Sequence, residues 1–213
     1  LREIGVTRPV SLLRNMRLRA RLSRDDQIRR DAGCLEGQTL LLYPNNVYEL
    51  GGAEECLQAL HRLPAEFHLA FLGEVQKGLE ARVDALLKTY GLVERVKFLK
   101  PVQPDRLIGY ISGADVSIVP LRPEIANHQH CLPNRIFESI AAGVPLVVPS
   151  GSEIGAFVQA HGVGVTFPDF EADSVAETLL RAVNGRRAGA FDEAIETAQR
   201  DLVWENEQTV LQE

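Results

Sequence analysis

The sequence predicts an α/β fold built on a Rossmann-like, doubly wound parallel sheet. Two observations support this. From residue 39 onward, short apolar runs alternate with segments of helical periodicity, and strands that alternate with helices of this length form βαβ units. Six such units fit between residues 35 and 185, which is enough for one domain. Because βαβ crossovers are right-handed, ligands are expected beyond the carboxyl ends of the strands.

The elements follow in order along the chain. Apolar runs predict strands at 39–43, 67–72, 96–99, 116–120, 145–148 and 164–167. Helical patterns predict helices at 52–63, 77–90, 104–112, 133–143, 152–161 and 174–183. Helix 77–90 has an apolar stripe, and Pro104 suits a first helical turn. We expect a basic linker segment at 1–34, the sheet domain at 35–185 and a helical tail at 186–213.

Charge is distributed unevenly along the chain. The net charge is −6, but the first 30 residues hold nine arginines against three acidic residues and carry +6, whereas the remainder carries −12. A basic segment on an acidic domain could attract an anionic membrane surface or another domain, and a solvated linker helix would have the same composition. Nucleic-acid binding is not expected, because no aromatic residues lie among these arginines and the domain itself is acidic.

Composition and cysteine usage are those of a globular protein in a reducing compartment. Hydrophobic content of 45% and charged content of 24% are ordinary, and no apolar run approaches the roughly 20 residues that span a bilayer. Cys34, Cys56 and Cys131 are odd in number and lack CxxC spacing, which argues against a disulfide framework or a zinc site. Leu1 is not an initiator methionine, and no signal-peptide pattern follows it. We therefore expect a cytoplasmic domain of a longer protein, with peripheral membrane association left open.

Segment 132–148 carries the most informative pattern. Pro133 suits a first helical turn, Gly143 suits a left-handed helix end, and Pro145 prevents the helix from resuming. At ~100° per residue, the apolar residues of the helix fall on one side: Ile136, Phe137, Ile140 and Ala141. The polar residues fall on the other side, so we expect a carboxylate, an amide and a guanidinium to face whatever lies beyond the helix N-terminus: Asn134, Arg135, Glu138 and Ser139.

The polar side of this helix suits a nucleoside diphosphate. Free N–H groups and the positive end of the helix dipole favour a phosphate at the N-terminus. Glu138, about one turn further in, could accept two hydrogen bonds from a vicinal diol such as a ribose. Arg135 is the nearest cation that could meet a diphosphate. The alternative is that both residues are ordinary charges on a solvated helix face.

This segment resembles the donor-binding signature of GT-B glycosyltransferases, in particular the large retaining group called family 4. Three further segments are similar to that family and stand in the same order: 91–99, 110–120 and 203–205. The resemblance implies the C-terminal half of such an enzyme, which binds a nucleotide-sugar. It implies that Glu138 grips the ribose and that the 132–135 amides and Arg135 hold the phosphates. It also implies an N-terminal half, outside this sequence, that binds the acceptor.

The same resemblance adds loops to the expected donor site. Lys100 follows strand 96–99, where the base docks in the family, and Gly73 follows strand 67–72, where the family has a glycine-rich turn. With Asn46 after the first strand, the donor-site candidates are Leu132, Pro133, Asn134, Arg135, Glu138, Asn46, Gly73 and Lys100. No metal-ligand spacing stands out, so we expect a metal-independent transferase with a nucleotide-sugar as substrate and no separate cofactor.

Two departures from the family pattern bear on activity. His130 stands eight residues before Glu138, where the family often has a glutamate near the transferred sugar, and is the candidate catalytic residue. The family's arginine after the first strand and lysine at the next helix are replaced by Asn46 and by 51–52, which are glycines. Losing one contact that stabilises the leaving diphosphate can cost ~3 kcal/mol, roughly a hundredfold in rate.

Three functions remain open on the sequence. The favoured one is the donor-binding domain of a retaining, metal-independent glycosyltransferase that transfers a hexosyl-type sugar. The missing cations favour instead a catalytically degenerate glycosyltransferase-like domain kept for protein interaction. A GT-B nucleotide-sugar 2-epimerase is the third, and it would need catalytic carboxylates and histidines in both halves.

Overall fold

The fold is a single six-stranded sheet in which all strands run parallel, as predicted. The computed structural model of the protein describes residues 13–19 and 24–212, so the expectation for 1–34 falls partly outside the described residues. The strands are β1 (Thr39–Tyr43), β2 (Phe67–Leu72), β3 (Val96–Leu99), β4 (Val116–Ile118), β5 (Leu146–Pro149) and β6 (Gly164–Phe167). Their order is β3-β2-β1-β4-β5-β6, and the winding reverses between β1 and β4.

Helices cover both faces of the sheet. They are α1 (Gln27–Asp31), α2 (Ala53–Arg62), α3 (Glu80–Thr89), α4 (Pro104–Ile111), α5 (Ala126–Gln129), α6 (Asn134–Ala141), α7 (Glu153–His161), α8 (Ala172–Arg187), α9 (Asp192–Asp201) and α10 (Trp204–Glu207), followed by a 3-10 helix at Gln208–Gln212. Leu41 and Tyr43 of β1 point to the face packed by α2, α3 and α8. Leu40 and Leu42 point to the face packed by α1 and α4. Because both faces are covered, the central strands are buried along their length and mostly apolar, which explains the runs seen in the sequence.

Several element ends differ from the predicted ones. β4 stops at Ile118 rather than at residue 120, since Pro120 has no N–H to donate to a neighbouring strand. The helix predicted at 77–90 begins at Glu80, because Gly78 before it adopts a left-handed φ of +97°. The helix predicted at 174–183 spans Ala172–Arg187 and continues past residue 185, where we expected the domain to end. The four-residue α5 was not predicted.

Residues 13–19, which we call the strap, cross from the C-terminal tail to the sheet domain. Met16 is buried in the same apolar cluster as Ile136 of α6. The tail fastens the strap through hydrogen bonds that include the Trp204 N–H to the Arg17 carbonyl (2.9 Å), the Arg14 N–H to Glu207 Oε1 (2.5 Å) and the Arg19 N–H to Glu205 Oε1 (3.1 Å). Part of the basic segment is thereby held against the domain.

Candidate functional site

A polar cavity of about 450 Å³ opens beyond the carboxyl ends of β1 and β2. It lies where the winding of the sheet reverses, which is the usual position of ligands in doubly wound folds. The strap, the loops after β1, β2 and β3, and the first turns of α4 and α6 enclose it. Its lining residues are Arg17, Asn45, Asn46, Leu72, Gly73, Pro101, Val102, Pro104, Leu107, Pro133, Asn134, Arg135 and Glu138.

Glu138 supplies the buried charge of this cavity, with only 2% of its side chain exposed. Its Oε2 accepts a hydrogen bond from Arg135 Nη1 at 2.7 Å, and its Oε1 accepts one from Arg17 Nη2. The two guanidinium-bearing side chains are 38% and 36% exposed, respectively. A buried carboxylate needs such partners, because an unpaired buried charge is costly. The site thus holds one inner anion and two outer cations.

Helix α6 brings Asn134, Arg135 and Glu138 to the cavity. Ser139 is fully buried, and its hydroxyl lies 2.9 Å from both Ser117 Oγ of β4 and the Arg135 carbonyl. Ser139 therefore packs on the core side of the helix, whereas the other three polar residues of the helix line the cavity. One edge of α6 packs against β4, and Arg17 of the strap lies over the carboxylate.

The loops after β1 and β2 form one wall of the cavity. Asn46 Oδ1 accepts a hydrogen bond from the Glu74 N–H at 2.9 Å, which joins the two loops. Gly73 lies where they meet, and a Cβ there would stand 2.6 Å from the Asn45 carbonyl oxygen. Only glycine fits this close approach without a backbone shift. Opposite this wall, Asn134 Oδ1 accepts a hydrogen bond from Asn15 Nδ2 of the strap at 3.1 Å.

Three predicted site residues are not among those that line the cavity. His130 is exposed and follows the end of α5. Lys100 is exposed just beyond β3. Leu132 is partly buried and packs against the apolar cluster beneath α6. The roles assigned to these residues stay predictions.

A neighbouring histidine, His128, is buried. Its Nδ1 lies 3.0 Å from the Arg122 carbonyl oxygen, and its Nε2 lies 3.4 Å from the Tyr48 hydroxyl. These contacts tie the segment before α6 to the loop after β1. Burial raises the pKa of Tyr48, with the nearby Cys131 adding to the shift. His128 therefore holds this loop in place, a role that no pattern in the sequence indicates.

Arg17 is the cavity residue that the sequence analysis missed. It lies 121 residues from Glu138, and no local pattern connects the two positions. The arginine-rich character of the first 30 residues was its only signal. The structure also places the residues that stand where the family has its arginine and lysine. Asn46 lines the cavity. Gly52 packs under Pro120 at the start of α2, with a φ of +82°.

Within the part of the chain that the structure describes, no three His, Cys, Asp or Glu side chains are grouped as a metal site would require. No helix in 13–19 or 24–212 combines the length and apolar character needed to cross a bilayer.

Comparisons with known proteins identify the family to which a chain with this fold and cavity belongs. A family model described as "Glycosyl transferases group 1" matches residues 38–184. A D-inositol 3-phosphate glycosyltransferase from Xylanimonas cellulosilytica is 29% identical over 165 residues, which are 76% of this chain and 38% of that protein. The Mycolicibacterium smegmatis protein of the same name is 27% identical over 163 residues, 73% of this chain and 36% of its own length. The chain thus spans little more than a third of these relatives.

Solved structures share the fold. HepE from Anabaena, crystallised with UDP-glucose, superposes with a TM-score of 0.73 at 16% identity, over 90% of this chain and 53% of that one. The C-terminal domain of LpcC from Francisella tularensis gives a TM-score of 0.65 at 13% identity, over 84% of this chain and 93% of that domain. Given a family match that covers well over half of the sequence, the chain belongs to the glycosyl transferases group 1 family, and its sheet is half of a GT-B fold.

Proposed function

We propose that this chain is the nucleotide-sugar donor-binding domain of a retaining, metal-independent glycosyltransferase that transfers a hexosyl-type sugar. The observation that carries the proposal is the placement of Glu138. Its carboxylate lies at the inner end of a polar cavity, beneath the first turn of α6 and at the point where the sheet reverses. A carboxylate there accepts the hydroxyls of a ribose, while the α6 N-terminus faces the phosphates.

The lining residues divide into three roles. Glu138 binds the ribose, Arg135 and the free N–H groups of α6 bind the diphosphate, and the loop wall at Asn46 and Gly73 faces the sugar. His130 is assigned to the sugar end of the site by resemblance to the family. The acceptor binds in an N-terminal half, and transfer takes place in the cleft between the halves. Neighbours of this fold bind UDP and UDP-glucose, so UDP is the first nucleotide to test.

The test is calorimetric titration of this chain with UDP, GDP, ADP and CDP. We expect one diphosphate to bind selectively and Glu138→Gln to weaken it about 10- to 100-fold, since a hydrogen bond to a charged group contributes ~1.5–3 kcal/mol. Glu177→Gln, an exposed carboxylate on α8, is the matched control and should bind like the parent. Equal binding by the Glu138→Gln variant would contradict the assignment of the ribose site.

One observation favours a second candidate, a non-catalytic interaction domain. The loop after β1 contributes uncharged Asn45 and Asn46 to the cavity where the family carries a cation. This candidate predicts that none of the four diphosphates binds, either to this chain or to a longer protein that includes the acceptor half. If a diphosphate binds, product analysis of the longer protein separates the remaining cases: the anomeric configuration of a transferred sugar tests retention, and inversion at C2 of the sugar would identify a 2-epimerase.

A further inference from the structure

We infer that Arg17, which precedes the sheet domain in the chain, is a diphosphate-binding residue of the donor site. The inference rests on the proposed function and extends it to a residue outside the nucleotide-binding fold. Arg17 borders the cavity itself, and its guanidinium touches the carboxylate at the inner end. A group in that position meets any anion that enters beside Glu138.

The strap holds Arg17 in place from both sides. The Arg17 carbonyl accepts the Trp204 N–H at 2.9 Å, and the preceding residue, Met16, is buried in the apolar cluster of α6. Two residues before Arg17, Asn15 donates to Asn134 at the first position of α6. The backbone of Arg17 is therefore positioned before any ligand arrives, while its 36% exposed side chain remains able to turn towards one.

The charge of the cavity depends on this arginine. Among its lining residues that the structure describes, the charged side chains are Arg17, Arg135 and Glu138, which sum to +1. Without Arg17 the sum is zero. A nucleoside diphosphate carries two to three negative charges, so the second cation turns a neutral cavity into an attractive one. The wall formed by the loops after β1 and β2 offers amides and backbone but no charge.

The donor geometry of Arg17 fits the same role. A guanidinium has five N–H donors in a planar fork that matches phosphate oxygens. The hydrogen bonds of the described residues use one of these on Glu138, through Nη2. Arg135 likewise donates to Glu138 through Nη1. Two arginines anchored on one buried carboxylate, with further donors that the hydrogen bonds of the described residues leave unused, form a clamp for a diphosphate above the ribose-binding group.

Arg17 could also have the opposite effect on ligand binding, and the test must distinguish the two roles. Arg17 occupies a carboxylate oxygen that the ribose would need, so it could act as a competitor that closes the empty site. The two roles predict effects of opposite sign. A competitor weakens the binding of both nucleoside and diphosphate, and its removal strengthens both. A diphosphate-binding residue strengthens only the ligand that carries phosphates.

The experiment is calorimetric titration of UDP and uridine, or of whichever diphosphate the parent chain prefers together with its nucleoside. We expect Arg17→Gln to weaken the diphosphate at least 10-fold and to change the nucleoside by less than threefold. Arg17→Lys, which keeps the charge but loses the fork, should weaken the diphosphate about threefold. Arg19→Gln is the control: Arg19 lies on the same strap, and its side chain donates to the Arg200 carbonyl, away from the cavity lining. It should bind both ligands within twofold of the parent.

Each outcome decides the matter. If the parent binds no diphosphate, the proposed function fails and this inference fails with it. If the parent binds UDP and Arg17→Gln binds it equally well or more tightly, the inference alone is overturned, and tighter binding of both ligands identifies the competitor. Should Arg17→Gln fail to give a cooperative thermal transition, the Arg17→Lys comparison takes its place, and an unchanged ratio of diphosphate to nucleoside affinity would overturn the inference.

Discussion

Glu138 shows how a single buried charge organises a site drawn from distant parts of the chain. Its two oxygens hold Arg17 of the strap and Arg135 of α6, so removing the carboxylate releases both. The cost in folding free energy should stay modest, about 1–3 kcal/mol, because both guanidiniums are more than a third exposed and can be solvated. The larger effect of losing this residue is expected in ligand binding.

His68 should make the stability of the domain sensitive to acid. It lies on β2 with 7% of its surface exposed, and its Nδ1 has no hydrogen-bond partner among the described residues. Burial, with repulsion from Arg95, Lys97 and Arg29, lowers the pKa of His68 below its usual 6.5. The fold therefore favours the neutral ring. Stability is complete above pH ~6.5, where unfolded histidine is neutral, and falls as the pH drops below that value.

The measurement is the urea midpoint of the parent chain and of His68→Leu between pH 7.5 and pH 5. We expect the parent to lose stability more steeply, by at most ~1.4 kcal/mol per pH unit, the limit for one proton. The other histidines are common to both proteins and cancel in the comparison. Parallel pH profiles would show that His68 titrates as freely in the folded chain as in the unfolded one.

A side chain at Gly52 should cost more stability than one at Gly37, although the two glycines share the same left-handed φ. Both have a φ of +82°, but a Cβ on Gly52 would stand 2.4 Å from the Pro120 carbonyl oxygen, whereas one on Gly37 would have nothing within 4 Å. Alanine at Gly37 should cost ~1–2 kcal/mol for the left-handed backbone. Alanine at Gly52 should cost a further ~1–3 kcal/mol for the overlap. If chemical denaturation gave equal losses of unfolding free energy for the two variants, the contact between Pro120 and the start of α2 would relax without cost.

At the scale of elements, the strands were the easiest part to predict and the short helices the hardest. β1 and β2 are buried along their whole length, and uniform burial leaves an apolar run that needs no tertiary knowledge. The four-residue α5 has no such pattern, because it is held by contacts of His128 with distant groups. The true length of α8 was also hidden, since its last turn is polar and lies outside the periodic stretch.

Helix α1 is too short to be stable alone and should depend on one arginine. Arg29, 13% exposed, donates to Asp115 Oδ2 at 2.9 Å and to the Gln38 carbonyl at 2.6 Å. The same Asp115 oxygen accepts the Leu40 N–H at 2.7 Å, so the contact joins α1 to the first strand. Arg29→Ala should therefore cost ~2–4 kcal/mol of unfolding free energy, because it breaks the partly buried ion pair with Asp115 and removes the hydrogen bond to the Gln38 carbonyl.

The adjacent Arg30 provides the control, because it is 63% exposed and pairs loosely with Asp25 at 3.7 Å. Arg30→Ala should change stability by less than ~0.5 kcal/mol. Hydrogen exchange of the α1 amides adds a local measure, and it should accelerate in the Arg29→Ala variant alone. Similar behaviour of the two variants would mean that α1 is held by its apolar contacts and not by this ion pair.

At the scale of the whole molecule, the cavity around Glu138 is lined by both the sheet domain and the strap, and the tail holds the strap in place. The sequence predicted the Rossmann-like half of the site, because the spacing of proline, glutamate and glycine around α6 is local. It could not predict that the strap reaches Glu138, because that contact spans 121 residues and depends on the tail. Local sequence patterns therefore could not predict Arg17, which is one of the two cations that line the cavity.

The tail should accordingly influence nucleotide binding without touching the cavity. Glu205 and Glu207 accept the backbone N–H groups of Arg19 and Arg14 and so fix the strap on either side of Arg17. Replacing both glutamates by glutamine removes two negative charges, which by itself would strengthen the binding of an anion. Loosening the strap acts in the other direction, because the ligand must then order it. If the strap positions Arg17, Glu205→Gln combined with Glu207→Gln should weaken the binding of UDP about threefold and leave the binding of uridine unchanged.

The control is a pair of substitutions with the same charge change, Glu177→Gln with Glu193→Gln, on exposed positions of α8 and α9. This pair should leave UDP binding unchanged or slightly tighter. Calorimetry measures the affinities, and hydrogen exchange at the Arg14 and Arg19 amides shows directly whether the strap has loosened. Faster hydrogen exchange without any loss of UDP affinity would show that the strap does not contribute to UDP binding.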